Sequence, residues 1–363
     1  MHYWSCSPGS ATICDMKLLV LGGTWFLGRA LAEEALLRGH KVTTFNRGRS
    51  GNDTPGIEPI HGDREDRSSL ERLASSGTWD AVIDTSGFVP RVVRDSALAL
   101  ADRIDRYVFV STVSVYKGWP VAPLSEDSSV LACPSDAGPD FGETDPRGYP
   151  TRYGFQKAGC ERAVHEVFDG RSLVLRPGVI LGPYEYVGRL PWWLRRIARG
   201  GRVLAPGNPD RAIQPVDVRD VAAFVLTALE AGVTGTFNVA APEGHATYGS
   251  LLGDCVKVTG SDAQLVWVDD RFLLEHGVMQ WTELPLWRTY AGTWRVAADR
   301  ARAAGLACRA LAETVRDTST WLSGGVEFGR TRPTQSKHGI APDKEAWLLA
   351  AWDSRLSSAR PPS

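Results

Sequence analysis

Residues 17–40, KLLVLGGTWFLGRALAEEALLRGH, constrain the fold of this chain more than any other segment. A short, almost wholly apolar run predicts a strand buried on both faces. The glycines after it permit a sharp turn, and the amphipathic stretch that follows predicts a helix. Such a turn gathers backbone N–H groups and the positive helix end at one point, which suits a phosphate. Gly22 and Gly28 hold the outer positions of a GxxGxxG spacing, and Trp25 occupies the middle one.

The alternation continues. Strands are predicted at 41–45, 58–61, 81–84, 107–110 and 172–176, and helices at 26–38, 68–75, 92–102 and 152–168. Continuously apolar strands alternating with helices imply an α/β fold, a Rossmann-type doubly wound parallel sheet with ligands at the carboxyl ends of its strands. Residues 117–150 interrupt the pattern. They are rich in Pro, Gly, Ser and acids and too long for a plain connection, so a functional loop or lid is expected. Its acids, Glu126, Asp127, Asp136, Asp140, Glu143 and Asp145, read as a solvated face, or as a source of one substrate contact if the loop closes.

Beyond Arg176 the order is mixed, with strands expected at 203–205, 214–216 and 237–239 and a helix at 218–230. Trp192, Trp193, Trp267, Trp281, Trp287, Trp294 and Trp321 crowd this half; packing a second core is the main expectation, lining a pocket the other. The chain divides accordingly. Residues 1–15 form an extension ahead of Met16, a candidate original start; 16–185 and 213–241 form the dinucleotide-type domain. A smaller substrate lobe takes 186–212 and 242–330, and the tail 331–363 carries a helix at 341–352.

Composition excludes several functions. Formal net charge is −1 over 363 residues, with no basic cluster, so neither nucleic acid nor an anionic membrane is an expected partner. No apolar run approaches the roughly 20 residues that span a bilayer. The 6 cysteines are scattered without CxxC or neighbouring His, which predicts a reducing, cytoplasmic setting and no metal. No GxSxG, HExxH or Walker loop is present.

The second strand ends in FNRG. Where an NAD site usually places an acid against the ribose 2′-hydroxyl, Asn46 and Arg47 stand here, and Arg47 can pair with a 2′-phosphate. NADP(H) is therefore favoured over NAD(H). Asp63, in HGDRED, is placed to accept from the adenine amino group. YGFQK sets Tyr153 and Lys157 four apart, hence on one helix face, after the fifth strand.

With these motifs the chain resembles the extended short-chain dehydrogenase/reductases of the NAD-dependent epimerase/dehydratase family, nearest to their atypical branch. The likeness rests on GGTxFLG, FNRG, the GD after the third strand, RPGVILGP and VDVRDVA, over about residues 17–321. It implies that Tyr153 is the general acid/base and that Lys157 holds the nicotinamide ribose and lowers the tyrosine's pKa. Thr112 takes the Ser/Thr position that hydrogen-bonds the reacting oxygen. A cation about 5 Å from a phenol at an effective dielectric near 20 is worth roughly 3 kcal/mol, about two pKa units. To the cofactor the resemblance assigns Gly22, Thr24, Trp25, Phe26, Leu27 and Gly28 of the turn, Asn46 and Arg47, Asp63 and Arg64, Thr85 and Ser86, Lys157, and Pro177 and Val179.

Two departures bear on the substrate. Family dehydratases follow the catalytic Thr with Asp-Glu, whereas Val113 and Ser114 stand here, which speaks against 4,6-dehydration. Nucleotide-sugar enzymes commonly carry an Arg where this chain has Ile213, with Arg211 the nearest substitute. Gln214 and the tryptophans fit a less charged, aromatic or polyketide-like molecule, and the Arg, Ala and Gly bias suits a specialised-metabolite enzyme. A carbonyl reductase or alcohol dehydrogenase acting on a small molecule is the leading expectation, with a homodimer implied by the resemblance. An epimerase or isomerase with tightly held NAD is the alternative, and a non-catalytic nucleotide-binding regulatory or RNA-associated protein the third.

Overall fold

The computed structural model describes residues 15–49, 54–144, 149–324 and 338–358. Most of the N-terminal extension, Asp145 of the insert and residues 325–337 lie outside the described residues. The chain begins β1 (Lys17–Leu21), α1 (Phe26–Leu37), β2 (Lys41–Asn46), β3 (Glu58–His61), α2 (Arg67–Ser76) and β4 (Trp79–Asp84). There follow α3 (Pro90–Leu100), β5 (Ile104–Val110), α4 (Arg152–Val167), β6 (Ser172–Pro177), β7 (Ile180–Leu181) and α5 (Arg189–Ala198). Next are β8 (Arg202–Pro206), β9 (Ala212–Ile213), β10 (Val216–Asp217), α6 (Val218–Glu230), β11 (Gly235–Val239), β12 (Ala246–Thr247) and α7 (Tyr248–Thr259). The last elements are β13 (Gln264–Val268), α8 (Asp270–Glu275), α9 (Asp299–Ala303), α10 (Leu311–Ser323) and α11 (Pro342–Ser358).

Seven strands form one sheet in the order β11-β6-β5-β4-β1-β2-β3, and every neighbouring pair is parallel. This is the doubly wound order with β11 added at one edge, as the alternation predicts. The cause is burial on both faces. Leu18 and Val20 pack into a cluster with α1 and α6, while Leu19 and Leu21 pack into another with α3 and α4. All four are at most 1 % exposed, and each such side chain contributes about 1.5–3 kcal/mol by leaving water. The strand order reverses between β1 and β4. There Leu21 pairs with Asp84 on one side and Phe45 on the other, so three carboxyl ends meet at the crevice.

A separate cluster gathers α5, β8, α7, β13, α10 and α11 around Trp193, Trp287 and Tyr248, each at most 1 % exposed. The C-terminal helix is integral to it. Leu348 is fully buried, and Glu345 accepts from Arg196 of α5 at 2.7 Å and from the Leu204 N–H of β8 at 3.1 Å.

The strand expected at 214–216 is instead two short ones, β9 and β10, flanking Gln214. Its amide donates to the carbonyls of Ala241 (2.9 Å) and Val296 (3.1 Å) and accepts from Val296 N–H (2.8 Å). A side chain that pairs backbone groups on both sides takes the place of a ladder, so Gln214 is a structural stitch rather than a substrate contact. The insert is tethered rather than merely solvated. Glu126 accepts from the Asn238 N–H at 3.0 Å, Asp127 pairs with Arg300 at 2.8 Å, and Gln156 of α4 donates to the carbonyls of Gly138 and Phe141.

Candidate active site

Two adjoining cavities, about 500 and 470 Å³, lie along the carboxyl ends of the sheet and share Gly22, Thr24, Trp25, Ser86 and Phe88. Their walls contain every residue that the sequence assigns to the cofactor. At the shared point the backbone leaves room for a ligand. Gly22 and Gly23 have φ of +112° and +90°, values that L side chains rarely adopt. A Cβ on Gly28 would meet Gly23 N at 2.8 Å and Thr85 Oγ1 at 2.9 Å, so glycine there lets α1 press against the turn. Trp25 is the N-cap of α1 with an extended backbone, φ −126°, which does not require glycine. No side chain caps this helix, so its first N–H groups face the crevice unspent, as a pyrophosphate site demands. The Trp25 ring meets Tyr186 edge-on at 6.1 Å.

The outer cavity ends at Asn46, Arg47 and Asp63. Asn46 turns its side-chain oxygen to the Gly48 N–H (2.7 Å) and shapes the turn, leaving Arg47 exposed at the rim. Arg64 lines the outer cavity and is anchored from below: its guanidinium binds Asp84 through two bonds of 2.9 Å and donates to Ser96 and Ser86, so it also braces the floor of the cleft. Burial alone would raise the pKa of Asp84, but the Arg64 charge and hydrogen bonds outweigh it and hold the carboxyl below its usual value.

The inner cavity holds the predicted catalytic set. Thr112 lies two residues beyond β5 and caps a short 3₁₀ turn at 113–115, its oxygen accepting from Ser114 N–H at 3.2 Å. Tyr153 lies in the first turn of α4, whose N-cap is Thr151, and lines the same cavity as Thr112. Lys157, one turn on, is 2 % exposed; its ammonium donates to the carbonyls of Gly87 (2.8 Å) and Val110 (2.5 Å) and faces the Phe109 ring at 4.3 Å. Glycine again sets the fit. A Cβ on Gly154 would collide with the Ser114 carbonyl, so only glycine lets the start of α4 lie this close to the turn that follows Thr112.

The electrostatics differ from the expected lowering. Although Tyr153 is 44 % exposed as a residue, its hydroxyl end is desolvated. Burial first, then the neighbouring Tyr186, push the phenol above its ordinary value of 10.0, against the opposing influence of the Thr112 hydroxyl. The Lys157 ammonium is bound to two carbonyls, and burial lowers its own pKa.

Several wall residues carry no sequence motif: Phe88, Trp119, Tyr149, Tyr186, Trp281 and Arg288. Phe88 lies between β4 and α3, and the others come from the insert and the second lobe, where only the crowding of aromatics hinted at them. Of the seven tryptophans singled out by sequence, Trp193, Trp287, Trp294 and Trp321 are buried, while Trp281 reaches the cavity.

A cleft of this shape at the switch point of a doubly wound sheet defines a class, the Rossmann-fold short-chain dehydrogenase/reductase enzymes. Residues 18–240 match the model of the NAD dependent epimerase/dehydratase family, and the chain belongs to that family. It is similar to the chloroplast stem-loop binding protein of 41 kDa b of Arabidopsis thaliana, 26 % identical over 68 % of this chain and 64 % of that protein. It is also similar to 2-alkyl-3-oxoalkanoate reductase of Stenotrophomonas maltophilia, 28 % identical over 61 % of this chain and 67 % of the relative. The chain thus spans about two thirds of the length of these relatives. Among solved structures, the Bordetella bronchiseptica enzyme WbmG in complex with NAD shares the fold, with TM-score 0.63, 18 % identity, and coverage of 87 % of this chain and 96 % of that one. Among the described residues no helix is long and apolar enough to cross a membrane.

Proposed function

We propose that the chain is an NADP(H)-dependent carbonyl reductase or alcohol dehydrogenase acting on a small organic molecule. The observation that carries this reading is the convergence of Tyr153, Thr112 and Lys157 on the wall of the inner cavity, with Lys157 one helical turn beyond Tyr153. A bound nicotinamide supplies or accepts the hydride. Tyr153 Oη gives its proton to the carbonyl oxygen in reduction and takes it from the alcohol in oxidation. Thr112 Oγ1 donates to the same oxygen and polarises it. Lys157 has three ammonium donors and spends two on carbonyls, which leaves one for a ribose hydroxyl. The glycine turn and the uncapped start of α1 would hold the pyrophosphate, and Arg47 at the rim of the outer cavity supports the choice of a 2′-phosphate. A relative whose name is that of a reductase supports the same direction.

A second reading, an epimerase that oxidises and re-reduces its substrate on retained NAD, uses the same residues and is supported by the family itself. The RNA-associated reading draws on one relative's name; near-neutral net charge and a filled catalytic set weigh against it.

Denaturing the purified protein, identifying any released dinucleotide and titrating the emptied protein with NADPH and NADH separates the readings. Reversible binding, tighter for NADPH, is the expected result. Near-stoichiometric retained NAD⁺ would overturn it in favour of the epimerase, and binding of neither dinucleotide would remove both enzymatic readings.

A further inference from the structure

Arg288 stands out on the wall of the inner cavity, opposite in origin to the catalytic helix. It is 9 % exposed, and its Nε is buried with no hydrogen-bond partner. Among the described residues no carboxylate pairs with it. Its guanidinium is surrounded by aromatic faces instead, with ring centroids of Trp281 at 4.3 Å, Tyr149 at 5.1 Å and Trp119 at 5.8 Å. All four residues line the cavity that holds Tyr153 and Thr112. Burial lowers the pKa of Arg288, the signature of a cation without a counter-charge. A buried, uncompensated guanidinium costs stability, so its persistence in a cavity calls for a ligand to complete it.

The segment that carries Arg288 is built to hold it there. Trp281 and Leu286 have φ of +72° and +69°, a strained region for such residues. The strain is held in place from the lobe core: Trp193 Nε1 and Tyr248 Oη both donate to the Pro285 carbonyl, at 2.8 and 2.6 Å, and Trp287 is fully buried.

Resting on the oxidoreductase reading above, we propose that Arg288 receives a carboxylate of the substrate, making this an enzyme for oxo or hydroxy acids with an apolar or aryl remainder. The charge count favours a carboxylate over a diphosphate. Arg189, the other guanidinium at this wall, has its charge paired with Glu185 (2.8 Å) and donates to the Ile180 carbonyl (2.9 Å), and Arg211 is paired with Asp270. One free planar fork matches one carboxylate in two-point contact, and the flat rings around it suit a chain or ring that has no further charge.

The test is calorimetric titration of the dinucleotide-loaded protein with straight-chain and aryl oxo acids, each against its own primary amide, with UDP as the phosphate-bearing comparator. At least one acid is expected to bind about 10- to 100-fold more tightly than its amide. Arg288→Met should abolish that preference while leaving dinucleotide affinity unchanged, and Arg288→Lys should keep part of it. Because the methionine variant removes an unpaired buried charge, the empty protein should melt no lower than wild type. The wild-type comparison of acid with amide decides the matter even if the variant fails to fold. No preference for any acid, a preference that survives Arg288→Met, or Arg288-dependent binding of UDP above every acid would overturn the proposal. Acid preference without turnover would leave the anion site standing and sink the reductase reading; turnover of neutral carbonyls without acid preference would do the reverse.

Discussion

A phenol that must move a proton is tuned by its surroundings, and those of Tyr153 keep it protonated. Burial and Tyr186 raise its pKa above 10.0 in the protein without dinucleotide. A neutral phenol is the form needed to donate in carbonyl reduction, whereas alcohol oxidation needs the phenolate. Reduction should therefore be flat in pH through the neutral range, while the oxidation rate should still be climbing near pH 10; an oxidation profile that levels off near pH 7 would show that the bound cofactor lowers this pKa by several units. Tyr153→Phe should cut both directions by about 10²–10⁴-fold with dinucleotide affinity retained. Asp84 works in the opposite sense. Its pKa is depressed in the folded state, so its contribution is complete above the ordinary carboxylate value near 3.9 and fades as pH falls through the lower folded value. Asp84→Asn, which leaves Arg64 buried beside a neutral amide, should cost about 3–5 kcal/mol at neutral pH in denaturant unfolding, and much of that difference should vanish in strong acid. The wall positions of Thr112, Tyr153 and Lys157 were legible because they ride on strand ends and one helix face. The roles of Arg64 and Gln214 were not, since which partner a buried polar group finds depends on segments far away in the chain.

At the scale of elements, the helix α4 shows how packing fixes chemistry. Its two internal glycines are contact surfaces: Gly154 against the Ser114 carbonyl, and Gly159 against Cys133 Sγ and Pro90, each 2.6 Å from where a Cβ would stand. Gly154→Ala has to push the start of α4 away from the β5 turn, and with it Tyr153 from Thr112. A loss of turnover on the order of 10²-fold is expected, with little change in dinucleotide binding; unchanged turnover would mean that the close approach of Tyr153 and Thr112 is not needed. Strand β1 and helix α6 fall where the sequence predicts them, since apolar runs bounded by glycine or acid admit one reading. The 214–216 strand failed because Gln214 replaces the ladder hydrogen bonds with its own amide. The insert of 117–150 reads as a lid from composition, yet the structure shows it pinned through Glu126, Asp127 and Gln156, and its Trp119 and Tyr149 form cavity wall.

For the molecule as a whole, the sheet carries the cofactor cleft while the second cluster supplies Trp281 and Arg288, so the inner cavity is completed only when that cluster is packed. Its packing depends on the last helix, because Arg196 of α5 is neutralised by Glu345 of α11 and also donates to the Arg202 carbonyl, while Glu345 binds the Leu204 N–H. Removing one charge of such a buried pair is costly, about 3–5 kcal/mol, whereas replacing both with apolar groups of similar volume is often neutral. Glu345→Gln should therefore loosen α5, β8 and α11 without loosening β1 to β6, a sub-global opening of the kind that hydrogen exchange resolves. Faster amide exchange confined to the second cluster, lost turnover and intact dinucleotide binding form the expected set. The double variant Arg196→Met with Glu345→Leu should recover much of the protection. Equal acceleration in the central sheet would show instead that the whole chain unfolds as one cooperative unit and that α11 supports the cofactor cleft as much as the substrate wall.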